Sequence, residues 1–264
     1  MDQSLPLLSI DRLDLSLGGD RLLDGVSFDM FRGECVGLLG RSGSGKSLTA
    51  RATLGLLPQD AAVSGKIRIN GTDVTHMHAL SRPKMARAAM VMQDSLSALN
   101  PLCTIGYQLE QPLRRRGASR GNARTAAVAL LARVGLAPEI TLRCSPELSG
   151  GQRQRVCIAM ALASDAPLIV ADEPTTALDV ITQAQVLKVL RDVTSAPGGP
   201  GLLFITHDLH AASHLCDRVL VIETGRIVEA GQMAQILAAP RHAYTCRLVT
   251  AARRCGIECE ALCA

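Results

Sequence analysis

Apolar and polar residues alternate along the first 35 residues of the chain. Residues 13–17 and 26–30 carry an apolar side chain at every second position, with Asp or Ser between them. A period of two residues is typical of a β-strand that buries one face. Residues 18–20 read Gly-Gly-Asp, which indicates a turn between two such strands. The pattern predicts an antiparallel β region at the N-terminus.

Three shorter runs are apolar at every position: Cys35–Leu39, 168–171 and 202–205. Continuous apolar runs are typical of parallel strands, because these are buried on both faces of the sheet. Helical patterns lie between the runs, for example over 47–57 and 181–193. Alternating strands and helices predict an α/β core with a parallel sheet.

The segment 100–163 carries no strand pattern and reads as mostly helical, most clearly over 123–134. It lies between the two parts of the α/β core, residues 1–99 and 164–240. The simplest arrangement is therefore a helical subdomain inserted into the core.

The end of the chain predicts one more hairpin. Residues 219–223 and 226–229 are strand-like and are separated by Thr-Gly, a turn signal. We expect a single domain over residues 5–250, with a short C-terminal tail over 241–264.

Composition excludes several classes of protein. Of the 264 residues, 47% are hydrophobic and 20% charged, which indicates a globular chain and not a disordered one. The net charge of +4 is too small to argue for nucleic acid. Two Tyr, three Phe and no Trp leave almost no aromatic surface on which bases could stack. We expect no nucleic-acid partner.

Membrane and export signals are lacking in the sequence. A membrane span needs roughly 18 consecutive apolar residues, and the best candidate, 156–171, is interrupted by Ser164, Asp165 and Pro167. The first residues do not resemble a signal peptide, so we expect the cytoplasm. The nine cysteines are then expected to be reduced thiols.

Three of these cysteines, Cys255, Cys259 and Cys263, recur every four residues and would share one face of a helix. They could bind a soft metal or an iron–sulfur cluster, or form a small apolar helix face. The spacing matches no standard zinc pattern.

A phosphate-binding loop follows the first buried strand directly. Residues 40–47 fit the pattern G-x-x-x-x-G-K-[ST], in which glycines let backbone N–H groups surround a phosphate at a helix N-terminus. Lys46 is expected to reach the β- and γ-phosphates, and the Ser47 hydroxyl to bind Mg²⁺. The predicted nucleotide-binding residues are Gly40, Arg41, Ser42, Gly43, Ser44, Gly45, Lys46 and Ser47.

Two carboxylates follow the second buried run. Asp172 and Glu173 come directly after residues 168–171, at the strand end where α/β sheets place ligands. Asp172 is expected to hold Mg²⁺, and Glu173 to act as the general base that activates water. Together with the phosphate loop, these residues predict a P-loop NTPase.

The residues Leu-Ser-Gly-Gly-Gln at 148–152 resemble the signature motif of ABC-type ATPases, and the resemblance extends from about residue 8 to 249. It implies further site residues: Gln93 as the Q-loop glutamine and a second Mg²⁺ contact, Asp179 in the D-loop, and His207 as the switch histidine. The family also implies a dimer in which two subunits enclose the nucleotide. Contacts to the partner's nucleotide would come from Ser149, Gly150 and Gly151.

One position departs from the family pattern. The family usually places an aromatic residue near the end of the first strand, where it stacks on adenine. This chain has Leu17 there, which would pack on the base instead, so we expect weaker discrimination between ATP and GTP than is usual.

Finer motifs resemble the peptide and nickel import branch of ABC transporters. They include 44–49, 93–101 with 104–106, 171–180 with 183–185, and 240–245. The short end of the chain is most similar to the nickel-import ATP-binding subunits, and dipeptide, oligopeptide and metal-chelate import remain the alternatives. The resemblance implies a peripheral subunit at the cytoplasmic face of the bacterial inner membrane, with ATP and Mg²⁺ as cofactors.

The same resemblance implies partners. These are two membrane permease subunits, a second ATPase subunit that is identical or related, and a periplasmic substrate-binding protein. The segment 96–113 would contact the coupling helices of the permeases. A hypothesis from another class is a non-transport ABC ATPase in which ATP-driven closure regulates a soluble partner.

Overall fold

The computed structural model describes residues 5–176 and 178–254. Cys255, Cys259 and Cys263 therefore lie outside the described residues. Within the described ranges the chain forms two β-sheets with helices around them. The strands are β1 (Leu8–Leu17), β2 (Asp20–Met30), β3 (Cys35–Leu39), β4 (Ala62–Ile69), β5 (Thr72–Asp73), β6 (Ala88–Val91), β7 (Leu168–Asp172), β8 (Gly201–Thr206), β9 (Arg218–Glu223) and β10 (Arg226–Gln232).

Helices fill the intervals between the strands and most of the segment 100–163. None of the helices in the described ranges is long and apolar enough to span a membrane. The α-helices are α1 (Lys46–Leu54), α2 (Ser95–Ala98), α3 (Ile105–Arg115), α4 (Arg120–Arg133), α5 (Gly150–Ala163), α6 (Val180–Thr194), α7 (Leu209–Leu215), α8 (Met233–Ala238) and α9 (Ala243–Arg254). Short 3₁₀ turns cover Ala79–Ser81, Lys84–Ala86, Pro138–Leu142 and Ser145–Glu147.

The smaller sheet is antiparallel and has the order β2-β1-β4-β5. The predicted N-terminal hairpin is confirmed: β1 pairs with β2, and Leu17 lies opposite Asp20 across the turn. The strand β4 was not predicted from the sequence, although it pairs with β1 along most of its length. Its middle reads Ser-Gly-Lys, and Gly65 has a φ of +90°, so the apolar alternation is broken there.

The larger sheet has the order β10-β9-β3-β8-β7-β6 and carries the predicted parallel strands. The predicted hairpin of β9 and β10 is confirmed, and β9 additionally pairs in parallel with β3. The strand β6, which was not predicted, extends the parallel sheet beyond β7. Parallel pairing brings the carboxyl ends of β3, β6, β7 and β8 to one edge of the sheet.

Two apolar cores share the larger sheet. Along β3, Cys35 and Leu39 face a core built with α3, α4, α5 and α6, whereas Val36 and Leu38 face a core shared with the smaller sheet and α1. This alternation explains why the strand is apolar at every position. The predicted fold class is confirmed, with a parallel α/β core, an N-terminal antiparallel part and an inserted helical segment.

The region predicted as a tail contains a regular helix. The helix α9 packs against α7 and α8, and Tyr244, Thr245 and Val249 on α9 are buried. The segment 243–254 is therefore integrated with the rest of the fold.

Candidate active site

The loop after β3 has the backbone geometry of a phosphate cradle. Gly43 and Gly45 have φ angles of +78° and +106°, which side chains other than glycine rarely adopt. A Cβ at Gly40 would lie 2.5 Å from the backbone oxygen of Ile222, so the loop runs too close to β9 for any side chain. The helix α1 begins at Lys46 and directs its free N–H groups toward the loop.

Lys46 lies under this loop and is only 5% exposed. Its ammonium donates hydrogen bonds to the backbone oxygens of Gly40 and Arg41, both at 2.8 Å. Glu173 Oε1 lies 4.0 Å from the same nitrogen. Burial lowers the pKa of Lys46, and the charges of Glu173 and Asp172 oppose that shift. The Lys46 ammonium is thus held at the centre of the loop, where it can attract a bound anion.

Ser47 and Asp172 offer two oxygen ligands to a divalent cation. The Ser47 hydroxyl lies 3.4 Å from Asp172 Oδ1. Burial is the main cause of the raised pKa of Asp172, while the Ser47 hydrogen bond and the Lys46 charge act in the opposite direction. A nearby cation would favour the ionised carboxylate, and hydroxyl and carboxylate oxygens are ligands that Mg²⁺ prefers. These residues fit the predicted metal site.

Glu173 is fixed by three contacts at the end of β7. Its backbone N–H donates to the Ile205 oxygen at 2.9 Å, and its Oε2 accepts a hydrogen bond from the Thr176 hydroxyl at 3.0 Å. His207 Nδ1 lies 3.1 Å from the same oxygen. The φ angle of Glu173 is +48°, an uncommon value for a residue with a side chain. The carboxylate is thus held in one orientation beside Lys46.

Thr176 was not predicted from the sequence. Its contact depends on the turn after β7, in which the Thr176 N–H donates to the Glu173 backbone oxygen at 3.2 Å. A hydroxyl three residues after a candidate base was the only signal in the sequence.

A cleft of about 660 Å³ collects the predicted phosphate and catalytic residues. It is open to solvent along the edge where β3, β6, β7 and β8 end. The predicted residues that line it are Gly40, Arg41, Ser42, Gly43, Gly45, Lys46, Ser47, Gln93, Asp172, Glu173 and His207. Among the predicted loop residues, Ser44 is instead buried below the surface, where its backbone oxygen accepts from Gly225 at 2.9 Å.

Four predicted residues lie outside this cleft: Ser149, Gly150, Gly151 and Asp179. Ser149 caps α5, since its hydroxyl accepts from the Gln152 N–H at 3.2 Å and the Gln152 side chain bonds back to the Ser149 N–H.

Asp179 caps the neighbouring helix α6 through Thr182, and these hydrogen bonds lower the pKa of Asp179. The beginnings of the two helices touch, because a Cβ on Gly151 would lie 2.1 Å from Thr182 Cγ2. The residues predicted for the signature motif and the D-loop therefore lie together, apart from the cleft.

The signature helix is tied to the segment that carries Gln93. Gln154 on α5 is buried, and its side-chain amide donates to the backbone oxygen of Met92 at 3.1 Å. Asp94, on the other side of Gln93, caps α2 by accepting from the N–H groups of Leu96 and Ser97. Gln93 is thus exposed to the cleft between two fixed neighbours.

The other side of the cleft is lined in part by residues that were not predicted. Leu17 packs against the core between the two sheets and is not among the described residues that line the cleft. Tyr244 and Leu248 of α9 do line it. Their position depends on how α9 packs on α7, a tertiary contact that no local pattern in the sequence indicates.

A buried strand, a glycine loop around a lysine, and two carboxylates at the next strand end define a P-loop nucleotide-binding protein. The family model described as ABC transporter matches residues 23–176. The chain belongs to the ABC transporter ATP-binding family.

Curated relatives in that family are similar over nearly the whole chain. The peptidoglycan transport ATP-binding protein YejF of Agrobacterium fabrum is 46% identical over 257 residues, covering 93% of this chain and 47% of YejF. The probable D,D-dipeptide transport ATP-binding protein DdpD of Escherichia coli is 42% identical over 268 residues, covering 97% of this chain and 81% of DdpD. The chain thus spans less than half of the first relative.

A solved structure shares the fold. The ATP-binding cassette MJ0796, a dimer in a post-hydrolysis state bound to ADP and Pi, superposes with a TM-score of 0.73 and 28% identity. The superposition covers 86% of this chain and 98% of that one.

Proposed function

We propose that the protein is the ATP-hydrolysing subunit of a bacterial ABC importer for peptides. The observation that carries this proposal is the joint placement of the phosphate loop, Asp172, Glu173, Gln93 and His207 in one cleft. A nucleotide-binding loop alone would serve many functions. Hydrolysis of a terminal phosphate additionally needs a base for the attacking water, and Glu173 is a carboxylate held near Lys46 by contacts that include His207.

Each side chain then has a defined task. The loop N–H groups and Lys46 hold the β- and γ-phosphates, and Glu173 accepts a proton from the water that attacks the γ-phosphorus. Thr176 and His207 keep the Glu173 carboxylate oriented toward that water. Ser47, Asp172 and Gln93 would hold Mg²⁺, which neutralises charge that develops on the phosphate oxygens.

The surface that carries Ser149 and Asp179 supports assembly with another ATPase subunit. Ser149 and Asp179 are exposed at the starts of α5 and α6, and their neighbours Val180 and Ile181 are 81% and 74% exposed although apolar. Helix N-termini attract anions, so the start of α5 suits the γ-phosphate held by a partner. MJ0796, which shares the fold, is a dimer bound to ADP and Pi, and this supports assembly of this chain with a second ATPase subunit.

An apolar surface on the helical segment supports docking to permease subunits. Leu96, Leu102, Tyr107 and Leu142 are all more than half exposed, and they lie on or beside α2 and α3. Gln93 directly precedes this region, so a movement of Gln93 on nucleotide binding would reach it. We place the protein at the cytoplasmic face of the inner membrane, with two permeases and a periplasmic binding protein as further partners.

Peptide cargo is favoured over nickel by the relatives. DdpD is named for D,D-dipeptide transport and YejF for peptidoglycan transport, and neither is named for nickel. The nickel prediction gains no support from them.

Uptake measurements test the proposal. We would compare labelled dipeptide and labelled nickel in the native host, with and without the gene, and with a Glu173→Gln copy. We expect dipeptide uptake to fall without the gene and to return only with the wild-type copy. Loss of nickel uptake alone would overturn the peptide cargo, and unchanged uptake of both would overturn the transport role.

A further inference from the structure

Two histidines on α7 bring their ring nitrogens together. His210 and His214 are four residues apart, so they lie on the same face of the helix, one turn from each other. Their Nε2 atoms are 3.2 Å apart, and the rings meet edge to face with their centres 4.5 Å apart. Both residues are exposed. Two imidazole nitrogens therefore converge on one place that is open to solvent.

The separation of the two nitrogens fits two ligands of one metal ion. Nitrogen ligands about 2.1 Å from one Zn²⁺ lie roughly 3.0 to 3.4 Å apart when the angle between them is between a right angle and the tetrahedral angle. Histidines at positions i and i+4 of a helix are also the spacing by which a helix presents two imidazoles to zinc. The pair therefore has the spacing and the distance of a bidentate metal ligand.

The pair lines a pocket between α6 and α7. The pocket has a volume of about 390 Å³, which leaves space for water molecules beside the two rings. Among the described residues, it shares no lining residue with the cleft that contains Lys46 and Glu173. The pair is therefore separate from the predicted Mg²⁺ site.

The groups around His214 favour a neutral ring. Burial, His210 and Arg191 lower the pKa of His214, and Asp208 opposes that shift. A neutral imidazole has one nitrogen with a free lone pair, which is the form that binds a metal ion. The ring of His214 is thus available as a ligand at neutral pH.

The charges beside the pocket are nearly balanced. Lys188 on α6 has its ammonium 2.6 Å from Asp192, which neutralises it. Arg191 lines the pocket and would repel a cation there. The carboxylate of Asp208 opposes that repulsion, because it lies at the beginning of α7 and accepts a hydrogen bond from the His210 N–H at 2.8 Å.

We propose that His210 and His214 together bind one divalent transition-metal ion, such as Zn²⁺, through their Nε2 atoms. Imidazole nitrogen suits zinc and its neighbours in the first transition row, whereas Mg²⁺ prefers oxygen ligands. Water molecules in the pocket would complete the coordination of the ion. The ion would join two turns of the helix that begins two residues after His207. The inference is independent of nucleotide hydrolysis and of the cargo.

Magnetic resonance of the histidine rings in the full chain tests this inference. The chain has six histidines, and isotope labelling of their ring nitrogens gives signals that report on these residues even when cysteine thiols also take up zinc. The probes are Zn²⁺ and, for comparison, Mg²⁺. The variants are His210→Gln and His214→Gln. His76→Gln is the matched control, because it removes an exposed histidine outside the pair.

We expect Zn²⁺ to shift the ring signals of His210 and His214 together, with one common midpoint, and Mg²⁺ to leave both unchanged. Loss of either histidine should weaken the zinc response of the other by at least about tenfold, and His76→Gln should match the wild type. If Zn²⁺ moves neither signal, the inference is overturned and the two rings only share a hydrogen bond. An undiminished response of the remaining histidine in either variant would also overturn it, since two independent surface histidines would then explain the shifts.

Discussion

Glu173 combines an uncommon backbone conformation with contacts from two other side chains. Its φ of +48° places the carboxylate beside Lys46, and Thr176 and His207 hold one of its oxygens. Uncommon conformations at a site persist only where surrounding contacts enforce them. The function of Glu173 should therefore depend on the negative charge of its carboxylate.

Replacing Glu173 with Gln should abolish turnover and spare binding. Gln keeps the shape and the contact with Thr176 but cannot accept the proton, so we expect phosphate release to fall by at least about 100-fold. Nucleotide affinity, measured by titration, should change much less. Glu139→Gln, on the exposed 3₁₀ turn Pro138–Leu142, is the control. Normal turnover in Glu173→Gln would contradict the role of general base.

Replacing Asp172 with Asn should stabilise the chain when no divalent cation is present. Burial raises the pKa of Asp172, so at neutral pH the folded state pays for a charge that the unfolded state carries freely. The penalty disappears as the pH falls through the folded pKa, and Asn removes it at every pH. We expect the Tm to rise by ~2 °C at pH 7 without metal.

The same variant should respond differently to pH and to metal. The gain in Tm over wild type should shrink on acidification, since Asp172 becomes protonated and resembles Asn. Stabilisation by MgATP should be smaller in the variant than in the wild type. A lower Tm at pH 7 without metal would show that the carboxylate stabilises the fold.

At the scale of elements, the sequence predicts best where burial is uniform. The apolar runs of β3, β7 and β8 identify the parallel strands, because both faces of each strand need apolar residues. The strands β4 and β6 and the helix α9 were not predicted. The strand β4 is interrupted by Gly65, and β6 has only four residues. The position of α9 depends on its contacts with α7.

The same distinction holds for the candidate site. The loop residues and Asp172 belong to local motifs at strand ends, so their spacing along the chain was sufficient to find them. His207 was expected only from the resemblance to ABC-type ATPases. Thr176, Gln154 and Tyr244 reach their positions at the site through contacts that the folded backbone creates. A short sequence motif cannot predict contacts between residues that only folding brings together.

The contact between the first turns of α5 and α6 gives an element-scale prediction. A methyl group at Gly151 would lie 2.1 Å from Thr182 Cγ2, so Gly151→Ala must separate the two helices. We expect a loss of ~1–3 kcal/mol of unfolding free energy, measured by urea denaturation. Gly121→Ala on α4 is the control, because an added methyl group meets nothing within 4 Å there.

A second substitution should restore the loss. Thr182→Ser removes the methyl group that clashes and keeps the hydroxyl that bonds to Asp179. The double variant should recover most of the stability lost in Gly151→Ala. If it does not, the close approach of the helices is not what makes Gly151 necessary.

At the scale of the whole molecule, one sheet serves two cores. Alternate residues of β3, β7 and β8 face opposite cores. On β8, for example, Leu202 faces one core and Leu203 the other. Neither core can lose its packing while the sheet remains intact for the other. The helical segment and the antiparallel sheet are therefore coupled through the strands between them.

Thermal unfolding should accordingly show one transition. We expect a single calorimetric peak for the isolated chain, with near-ultraviolet and far-ultraviolet circular dichroism changing at the same temperature. Two resolved peaks would mean that residues 100–163 unfold independently and that the shared sheet does not couple the cores.

Under the proposed function, the bonds from Lys46 to its own loop determine what replaces the phosphate when product leaves the site. The ammonium has two carbonyl partners at 2.8 Å, supplied by the residues that begin the loop. When the product leaves, the Lys46 ammonium exchanges phosphate oxygens for the backbone oxygens of Gly40 and Arg41. The buried positive charge therefore keeps hydrogen-bond acceptors throughout. Turnover is spared the desolvation barrier that a lysine without such substitutes would impose.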